Sequence, residues 1–237
     1  MTNSFQFMAS LALAMGLLVG TADVARADYI SIDLSSYVNS DLTTYTGGGS
    51  YPQHGGSLTI GDVPFTLATI GPGSDTAVLQ SNTAYGAGQV WGFNVDQYGV
   101  SSAYTLINTA FGTCGTVVGE VDFVGSSSTY TYTLTEGGNV RDHFSGGFCN
   151  SLTSGGATEA FGADRLDMQS IELPASFADQ TLEAVYFRSY GQGYNGSPFL
   201  AAITLDPVGA VPEPAAWPLA LATLIALPLA RRRWLKQ

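Results

Sequence analysis

The most regular feature of this chain is a two-residue alternation of apolar and polar side chains. In residues 30–34, isoleucine and leucine alternate with serine and aspartate, and in residues 129–134, tyrosine and leucine alternate with threonine. Successive side chains of a β-strand point to opposite faces, so this period gives a strand one apolar and one polar face. Both segments are therefore predicted to be strands that lie half-buried on a core.

Further runs are rich in β-branched and aromatic residues and lie between glycine-rich segments, which is typical of strands. They are residues 58–60, 63–68, 90–95, 103–108, 117–124, 168–173, 181–188 and 199–205. Gly61 and Asp62 separate two of these runs and predict a tight hairpin. Residues 164–169 form at most one helical turn, and the body shows no sustained apolar period of 3.6. The pattern predicts an all-β fold, an antiparallel jelly-roll-like β-sandwich.

The N-terminal segment has the pattern of a signal peptide. Residues 8–20 are an uncharged, largely apolar run, and Ala25 and Ala27 are small residues where signal peptidase reads the chain. Cleavage is therefore predicted before Asp28, which assigns residues 1–27 to the signal peptide. The segment before the apolar run contains no Lys or Arg, which indicates a weak signal or a start site further upstream. A retained anchor is the alternative, but the apolar run is short for a membrane span.

The end of the chain combines a rigid motif, an apolar span and a basic end. Pro212, Glu213 and Pro214 form a stiff, extended segment because proline fixes its own φ and restrains the residue before it. Residues 215–230 carry no charge and would reach about 24 Å as a helix, slightly less than the roughly 30 Å hydrocarbon core of a membrane. Three arginines follow this span: Arg231, Arg232 and Arg233. Such a basic end is predicted to stay in the cytoplasm, which leaves the body of the chain on the far side of the membrane.

This tail, residues 211–237, resembles the PEP-CTERM sorting domain, whose signature is a Pro-Glu-Pro motif, a hydrophobic helix and a basic end. The resemblance implies that Pro212, Glu213 and Pro214 are the recognition motif of exosortase, an integral-membrane cysteine protease that removes the tail. It also implies export by a Gram-negative bacterium that makes extracellular polysaccharide. The chain departs from commoner members in the two alanines after the motif and the four residues after the arginines, which leaves the cleavage position open. An ordinary C-terminal anchor is the alternative.

Residues 28–210 are left as one β-sandwich domain, long enough for a substantial core. This body has 17 acidic residues against three arginines and no lysine, which gives a net charge of −14. Nucleic acids bind clustered Lys and Arg, so a nucleic-acid partner is excluded. An acidic surface suits solubility outside the cell, weak binding of divalent cations and binding of neutral sugars.

The chain has two cysteines, Cys114 and Cys149. Because an exported protein meets an oxidising compartment, a single disulfide is the expected state of this pair. It would close a loop of about 35 residues and stabilise the fold by roughly 3.5–4 kcal/mol. A nucleophilic or metal-binding thiol is the alternative, which no CxxC spacing supports.

The body shows a second resemblance, over roughly residues 91–205. Residues 103–108, 119–123 and 139–143 resemble segments of a carbohydrate-binding β-sandwich family that is similar to galactose-binding-like jelly rolls. Residues 198–205 fit the final strand of such a domain. The resemblance implies the fold more directly than it implies a ligand.

Carbohydrate binding also has a physical basis in these residues, since sugars stack their C–H faces on aromatic rings while their hydroxyl groups bond to polar side chains. The expected platform consists of tyrosines in glycine-rich segments: Tyr98, Tyr190 and Tyr194. The expected polar partners lie together in the chain: Asn139, Arg141 and Asp142. For each of these residues, a structural role in the core or at its rim is the alternative.

A catalytic centre is not expected. The chain has only two histidines, His54 and His143, and it has no G-x-S-x-G motif. Asp142 precedes His143, but neighbouring residues of a strand point to opposite faces, which argues against an orienting pair. Two isolated histidines do not favour a zinc site, and no calcium-loop motif marks a structural calcium ion. We therefore expect no metal and no cofactor, with a structural calcium ion, which no motif supports, as the alternative.

Together, these features predict an exported, non-catalytic protein of the cell surface or extracellular matrix. Its expected partners are signal peptidase, exosortase and extracellular polysaccharide. Before processing, we expect the chain to be anchored in the membrane with a cytoplasmic C-terminus. A structural matrix protein without a defined ligand is the main alternative, and a secreted hydrolase is the next.

Overall fold

The computed structural model of the protein is all-β with antiparallel sheets, as the sequence predicts. It describes residues 28–45, 55–71, 74, 76–80, 88–110, 113–146, 149–154, 157–159, 164–190 and 196–209. The segment Ala27–Val208 forms one compact unit. Within the described ranges, no helix is both long and apolar enough to cross a bilayer. The predicted signal peptide, 1–27, and sorting tail, 211–237, lie outside these ranges.

The described residues form short strands and two short helices. The strands are β1 (Ile30–Ile32), β2 (Ser40–Asp41), β3 (Gly56–Ile60), β4 (Val63–Leu67), β5 (Ala77–Gln80), β6 (Gln89–Tyr98), β7 (Val100–Ala110), β8 (Val117–Gly125), β9 (Thr129–Thr135), β10 (Ala157–Glu159), β11 (Asp167–Glu172), β12 (Thr181–Ser189) and β13 (Ser197–Pro207). The helices are α1 (Leu42–Tyr45), after β2, and a 3₁₀ helix (Ala175–Asp179), before β12.

The larger sheet has seven strands and is organised around β13. Its order is β10-β11-β7-β13-β5-β2, and β1 also pairs with β13. β13 runs antiparallel to β7 from Ser197 opposite Ala110 to Pro207 opposite Val100. Residues 198–205 are apolar except for one threonine, and all of them are buried. A nearly continuous apolar run is typical of a strand that is covered on both faces.

The second sheet has four strands in the order β6-β12-β8-β9. Phe187 of β12 lies opposite Trp91 of β6 and opposite Val121 of β8. The register of β12 shifts between Leu182 and Ala184 against both neighbours. After this bulge, alternate residues of β12 point to the core and to the solvent.

Strands β3 and β4 form the predicted tight hairpin. Ile60 pairs with Val63, and Gly61 at the turn has φ +64, a conformation that glycine adopts without strain. The hairpin is attached to the seven-stranded sheet because Thr204 Oγ1 of β13 donates a hydrogen bond to the Pro64 carbonyl oxygen.

Two apolar clusters account for the layering of the domain. The main cluster combines residues of both larger sheets, such as Ile203 of β13 and Phe187 of β12. The second cluster joins the β3–β4 hairpin to the seven-stranded sheet, with Phe65 of β4 and Phe199 of β13 among its members. The result is β-sandwich-like, with the hairpin covering part of the outer side of the larger sheet.

Each run that the sequence analysis assigned to a strand is extended in the structure. Three short strands, β2, β5 and β10, were not predicted, because two to four residues are too few to show a period. The helical turn considered for residues 164–169 is wrong, since β11 begins at Asp167 and pairs with both β10 and β7.

Candidate functional site

Cys114 and Cys149 form a disulfide, as predicted. Their Cα atoms are 5.4 Å apart, within the usual range for a disulfide, and their sulfur atoms lie at bonding distance. Gly115, next to Cys114, donates its backbone N–H to the Glu136 carbonyl at 2.8 Å, and within the loop after β9 Asp142 N donates to the Cys149 carbonyl at 3.1 Å. The bond therefore ties the loop after β9 to the start of β8.

The polar residues predicted to contact a ligand lie in this loop and are bonded within the protein. Asn139 closes a turn, because its Nδ2 donates to the Thr133 carbonyl and its Oδ1 accepts from Thr135 N, both at 2.8 Å. Asp142 is buried, and its Oδ1 accepts a hydrogen bond from Phe144 N at 2.7 Å. Both contacts shape the backbone of the loop.

Arg141 is held by Asp167, a fully buried residue at the start of β11. Arg141 Nε donates to Asp167 Oδ2 at 2.7 Å and Arg141 Nη2 donates to Oδ1 at 2.9 Å, a bidentate pair. Asn108 of β7 adds a donor, from its Nδ2 to Asp167 Oδ2 at 2.9 Å. A ligand role for Asn139, Arg141 and Asp142 stays a prediction, and these contacts give each of them a structural role.

A second carboxyl in the interior belongs to Glu136, which follows β9 and is fully buried. Thr109 Oγ1 donates a short hydrogen bond to Glu136 Oε2, while Oε1 has no hydrogen-bond partner among the described residues. Burial raises the pKa of Glu136 to about 7; the hydrogen bond from Thr109 opposes this rise and the nearby Asp142 adds to it. The carboxyl is therefore largely protonated in mildly acidic solution.

His143 is packed in the same region. Its ring lies edge-on to Phe199 of β13, with ring centroids 6.2 Å apart. Burial lowers the pKa of His143, and the nearby carboxylates of Asp142 and Asp164 oppose this effect. These contacts fit a structural role of His143 rather than a catalytic one. The other histidine, His54, lies outside the described residues.

Two of the predicted tyrosines, Tyr98 and Tyr190, lie at opposite ends of β12. Tyr98, at the end of β6, is opposite Thr181 at the start of β12 and is 62% exposed. Tyr190 directly follows β12, about 30 Å away at the rise of a β-strand. Tyr194 lies outside the described residues. The structure therefore does not bring Tyr98 and Tyr190 into one platform.

The residues that surround Tyr190 lie on the solvent-facing side of the four-stranded sheet, which we call the outer face. It is defined by six side chains: Glu120, Asp122, Thr131, Tyr186, Arg188 and Tyr190. Their neighbours along the strands, such as Val121, Phe123 and Phe187, belong to the core and are fully buried. The alternation of a β-strand is what separates the two sets.

Hydrogen bonds connect the polar groups of the outer face. Asp122 accepts from Arg188 Nε at 2.7 Å and from Thr131 Oγ1 at 2.6 Å. Arg188 Nε also lies 3.2 Å from Glu120 Oε1, and Tyr190 donates its hydroxyl hydrogen to Glu120 Oε2 at 2.9 Å. One guanidinium is thus shared between two carboxylates, which fixes the position of all three groups.

This network is reachable by solvent and is slightly acidic. The exposed fractions of the Arg188, Glu120 and Asp122 side chains are 38%, 23% and 11%. The hydrogen bond to Asp122 raises the pKa of Arg188, so the arginine stays charged. Burial, followed by the hydrogen bond to Glu120, raises the pKa of the Tyr190 hydroxyl, which therefore remains a donor. Two carboxylates and one guanidinium leave a net charge of −1.

Tyr186 completes the outer face with an aromatic surface. It lies opposite Gly92 of β6, and a Cβ atom at position 92 would come within 2.6 Å of the Tyr186 ring. Glycine is therefore needed for the ring to lie down on the sheet. Arg188 Cζ is 6.0 Å from the centre of this ring, at the limit of a cation–π contact.

Of the residues of the outer face, only Tyr190 was predicted from the sequence to contact a ligand. The signal was present, because Glu120 and Asp122 alternate with core residues, as do Tyr186 and Arg188. It does not reveal which strands are neighbours, and therefore could not show that these residues meet. In the part of the chain that the structure describes, no group of three or more His, Cys, Asp or Glu side chains could hold a metal ion.

No family model matches this chain, and no curated protein is significantly similar to it.

Proposed function

We propose that this protein is exported, sorted to the cell surface or matrix by exosortase, and binds extracellular polysaccharide without catalysing a reaction. The outer face carries the binding part of the proposal. It offers an aromatic ring next to a fixed set of hydrogen-bond donors and acceptors, which is the combination that sugar recognition requires.

We further propose that the two larger sheets form a jelly roll. Eight strands support the jelly roll. Four of them are neighbours in the larger sheet, in the order β11-β7-β13-β5, and the other four form the second sheet, in the order β6-β12-β8-β9. Along the chain, β6, β7 and β8 lie alternately in the four-stranded and the seven-stranded sheet, and β11, β12 and β13 alternate in the same way. A double Greek key with two four-stranded sheets has this arrangement.

The sorting part of the proposal rests on the tail alone. The Pro212-Glu213-Pro214 motif, the apolar residues 215–230 and the arginines after them occur in the order that the sorting-domain resemblance requires.

Mass spectrometry of the protein recovered from the producing cell surface tests the sorting claim. We expect a mature chain that begins at Asp28 and ends upstream of Arg231, because signal peptidase and exosortase remove the two ends. Replacement of Glu213 by Ala should leave the C-terminus intact and the N-terminus unchanged. A wild-type chain that still reaches Gln237 would overturn the processing claim.

Pull-down on the producer's own purified polysaccharide tests the binding claim. The protein should be retained on this matrix and released by soluble polysaccharide in excess. Absence of binding to any glycan at about millimolar concentration would overturn it, and would favour a structural matrix protein without a ligand.

A further inference from the structure

We infer that the outer face binds an uncharged glycan, with a sugar ring stacked on Tyr186 and its hydroxyl groups bonded to Asp122, Glu120 and Arg188. This inference rests on the proposed polysaccharide binding and narrows it to one class of ligand and one surface. The charges of the whole body and the geometry of the outer face are the two observations that carry it.

The body offers few cationic side chains that could bind an acidic polysaccharide. Its only arginine or lysine residues are Arg141, Arg165 and Arg188. Arg141 is paired with buried Asp167, and Arg165 is itself buried, with its Nη1 donating to Asn150 Oδ1 at 2.8 Å. Uronate and sulfate groups are recognised by arginine and lysine side chains, so recognition of a charged sugar would depend on Arg188 alone.

Arg188 is already balanced by two carboxylates. Its Nε contacts both Asp122 and Glu120, whose side chains are 11% and 23% exposed. A uronate that approached the guanidinium would lie within a few ångströms of both carboxylates and would be repelled by them. The hydroxyl groups of a neutral sugar meet no such repulsion, and they donate to carboxylates in charge-assisted hydrogen bonds.

The outer face also has the shape that a flat sugar ring needs. Because Gly92 has no side chain, the Tyr186 ring can lie over β6, where it is half-buried. Asp122 and Thr131 continue the same row across β8 and β9. A pyranose stacked on Tyr186 would therefore place its hydroxyl groups next to Asp122, which is held in place before binding.

Affinity electrophoresis of the full chain in mild detergent tests the inference. The neutral probes are laminarin, dextran, galactomannan and xyloglucan, and the anionic probes are alginate and hyaluronan. We expect at least one neutral probe to retard the protein and neither anionic probe to do so. Retardation should not change with EDTA or with added salt, because no counterion release is involved.

Matched variants locate the site. Tyr186→Ala should weaken binding of the neutral probe about tenfold, while Tyr186→Phe keeps the ring and should retain most of the affinity. Phe144→Ala removes an exposed aromatic ring outside the outer face and should leave binding unchanged. Retention of the wild-type melting temperature by each variant shows that the fold is intact.

The outcomes separate the inference from the proposed function. Retardation by alginate or hyaluronan alone would overturn the inference and leave polysaccharide binding standing. Loss of neutral-glycan binding in Tyr98→Ala but not in Tyr186→Ala would also overturn it, since the site would then lie at the far end of β12. Absence of retardation by every probe and by the producer's own polysaccharide would overturn both.

Discussion

Among single residues, two arginines that both pair with aspartate differ in how far their side chains reach the solvent. Arg141 precedes an aspartate in the chain, yet its partner is buried Asp167 on another strand. Arg188 lies on β12 between Phe187 and Ser189, and its guanidinium reaches the solvent and two carboxylates of β8. The direction of a side chain and the identity of the adjacent strand decide its role, and neither is visible in the residue itself.

Replacement of Glu136 by Gln is expected to remove part of the pH dependence of stability. The carboxyl ionises near its ordinary pKa of 4.5 in the unfolded chain but at about 7 in the folded protein. The stabilisation that the protonated carboxyl gives the folded state is therefore complete below the unfolded pKa. It is lost as the pH rises through about 7, and the free energy of unfolding falls by about 3 kcal/mol at most. Urea unfolding at about pH 5 and about pH 7.5 measures this effect. The free energy of unfolding should fall less for Glu136→Gln than for wild type between these two pH values.

Glu183→Gln, at an exposed position of β12, is the matched control and should keep the wild-type pH dependence. His143 acts in the opposite direction, because its lowered pKa adds stability as the pH rises toward 6.5. Since both variants keep His143, its effect cancels in the comparison. Equal pH dependence in Glu136→Gln and wild type would contradict the role assigned to Glu136.

Among the elements, two turns depend on glycine for different reasons. Gly61 in the β3–β4 hairpin and Gly137 after β9 both have positive φ, +64 and +70. At Gly61 nothing lies within 4 Å of the place a Cβ would occupy, whereas at Gly137 that place overlaps the Cys149 sulfur. The first turn therefore needs only the backbone freedom of glycine, and the second also needs its lack of a side chain.

Gly137→Ala should accordingly destabilise the protein more than Gly61→Ala. Each variant is expected to lose about 1–2 kcal/mol because alanine is disfavoured at positive φ. Gly137→Ala should lose about 1–3 kcal/mol more, since the disulfide and its loop must shift to admit the methyl group. Urea-unfolding midpoints of the two variants measure the difference, and equal losses would show that the loop adapts without strain.

At the level of the whole molecule, the disulfide holds the loop after β9, which contains the buried residues Asp142 and His143. Backbone hydrogen bonds join this loop to Thr109 of β7, and the Cys114–Cys149 bond closes it against the start of β8. A covalent link here limits how far the unfolded chain can separate the two segments.

Replacement of both Cys114 and Cys149 by serine should lower the free energy of unfolding by about 3.5–4 kcal/mol, because the bond closes a long loop. Urea unfolding of the double variant measures this loss. Wild type unfolded in the presence of a reductant should match the double variant. An unchanged midpoint in both samples would mean that the loop is held by its hydrogen bonds alone.

Most of the fold could be predicted from the sequence, because period-two runs and glycine-rich turns are local features. The strands at 103–108, 181–188 and 199–205, the Gly61 hairpin and the cysteine pair are examples. The candidate site was predicted only at Tyr190. Asn139, Arg141 and Asp142 were expected to be polar partners of a ligand, but their hydrogen bonds go to the backbone and to Asp167, which is distant in the chain.

The sequence by itself determined most of the β-strands and the acidic body with only three arginines and no lysine, while the leader and the tail stay predictions. These properties depend on composition and on short-range order, which any stretch of chain displays alone. Only the tertiary structure decided that Tyr186, Asp122 and Arg188 meet on one face, and that Glu136 is buried with a raised pKa. The physical reason is that strand order and register, set by packing of the two apolar clusters, choose which distant side chains become neighbours.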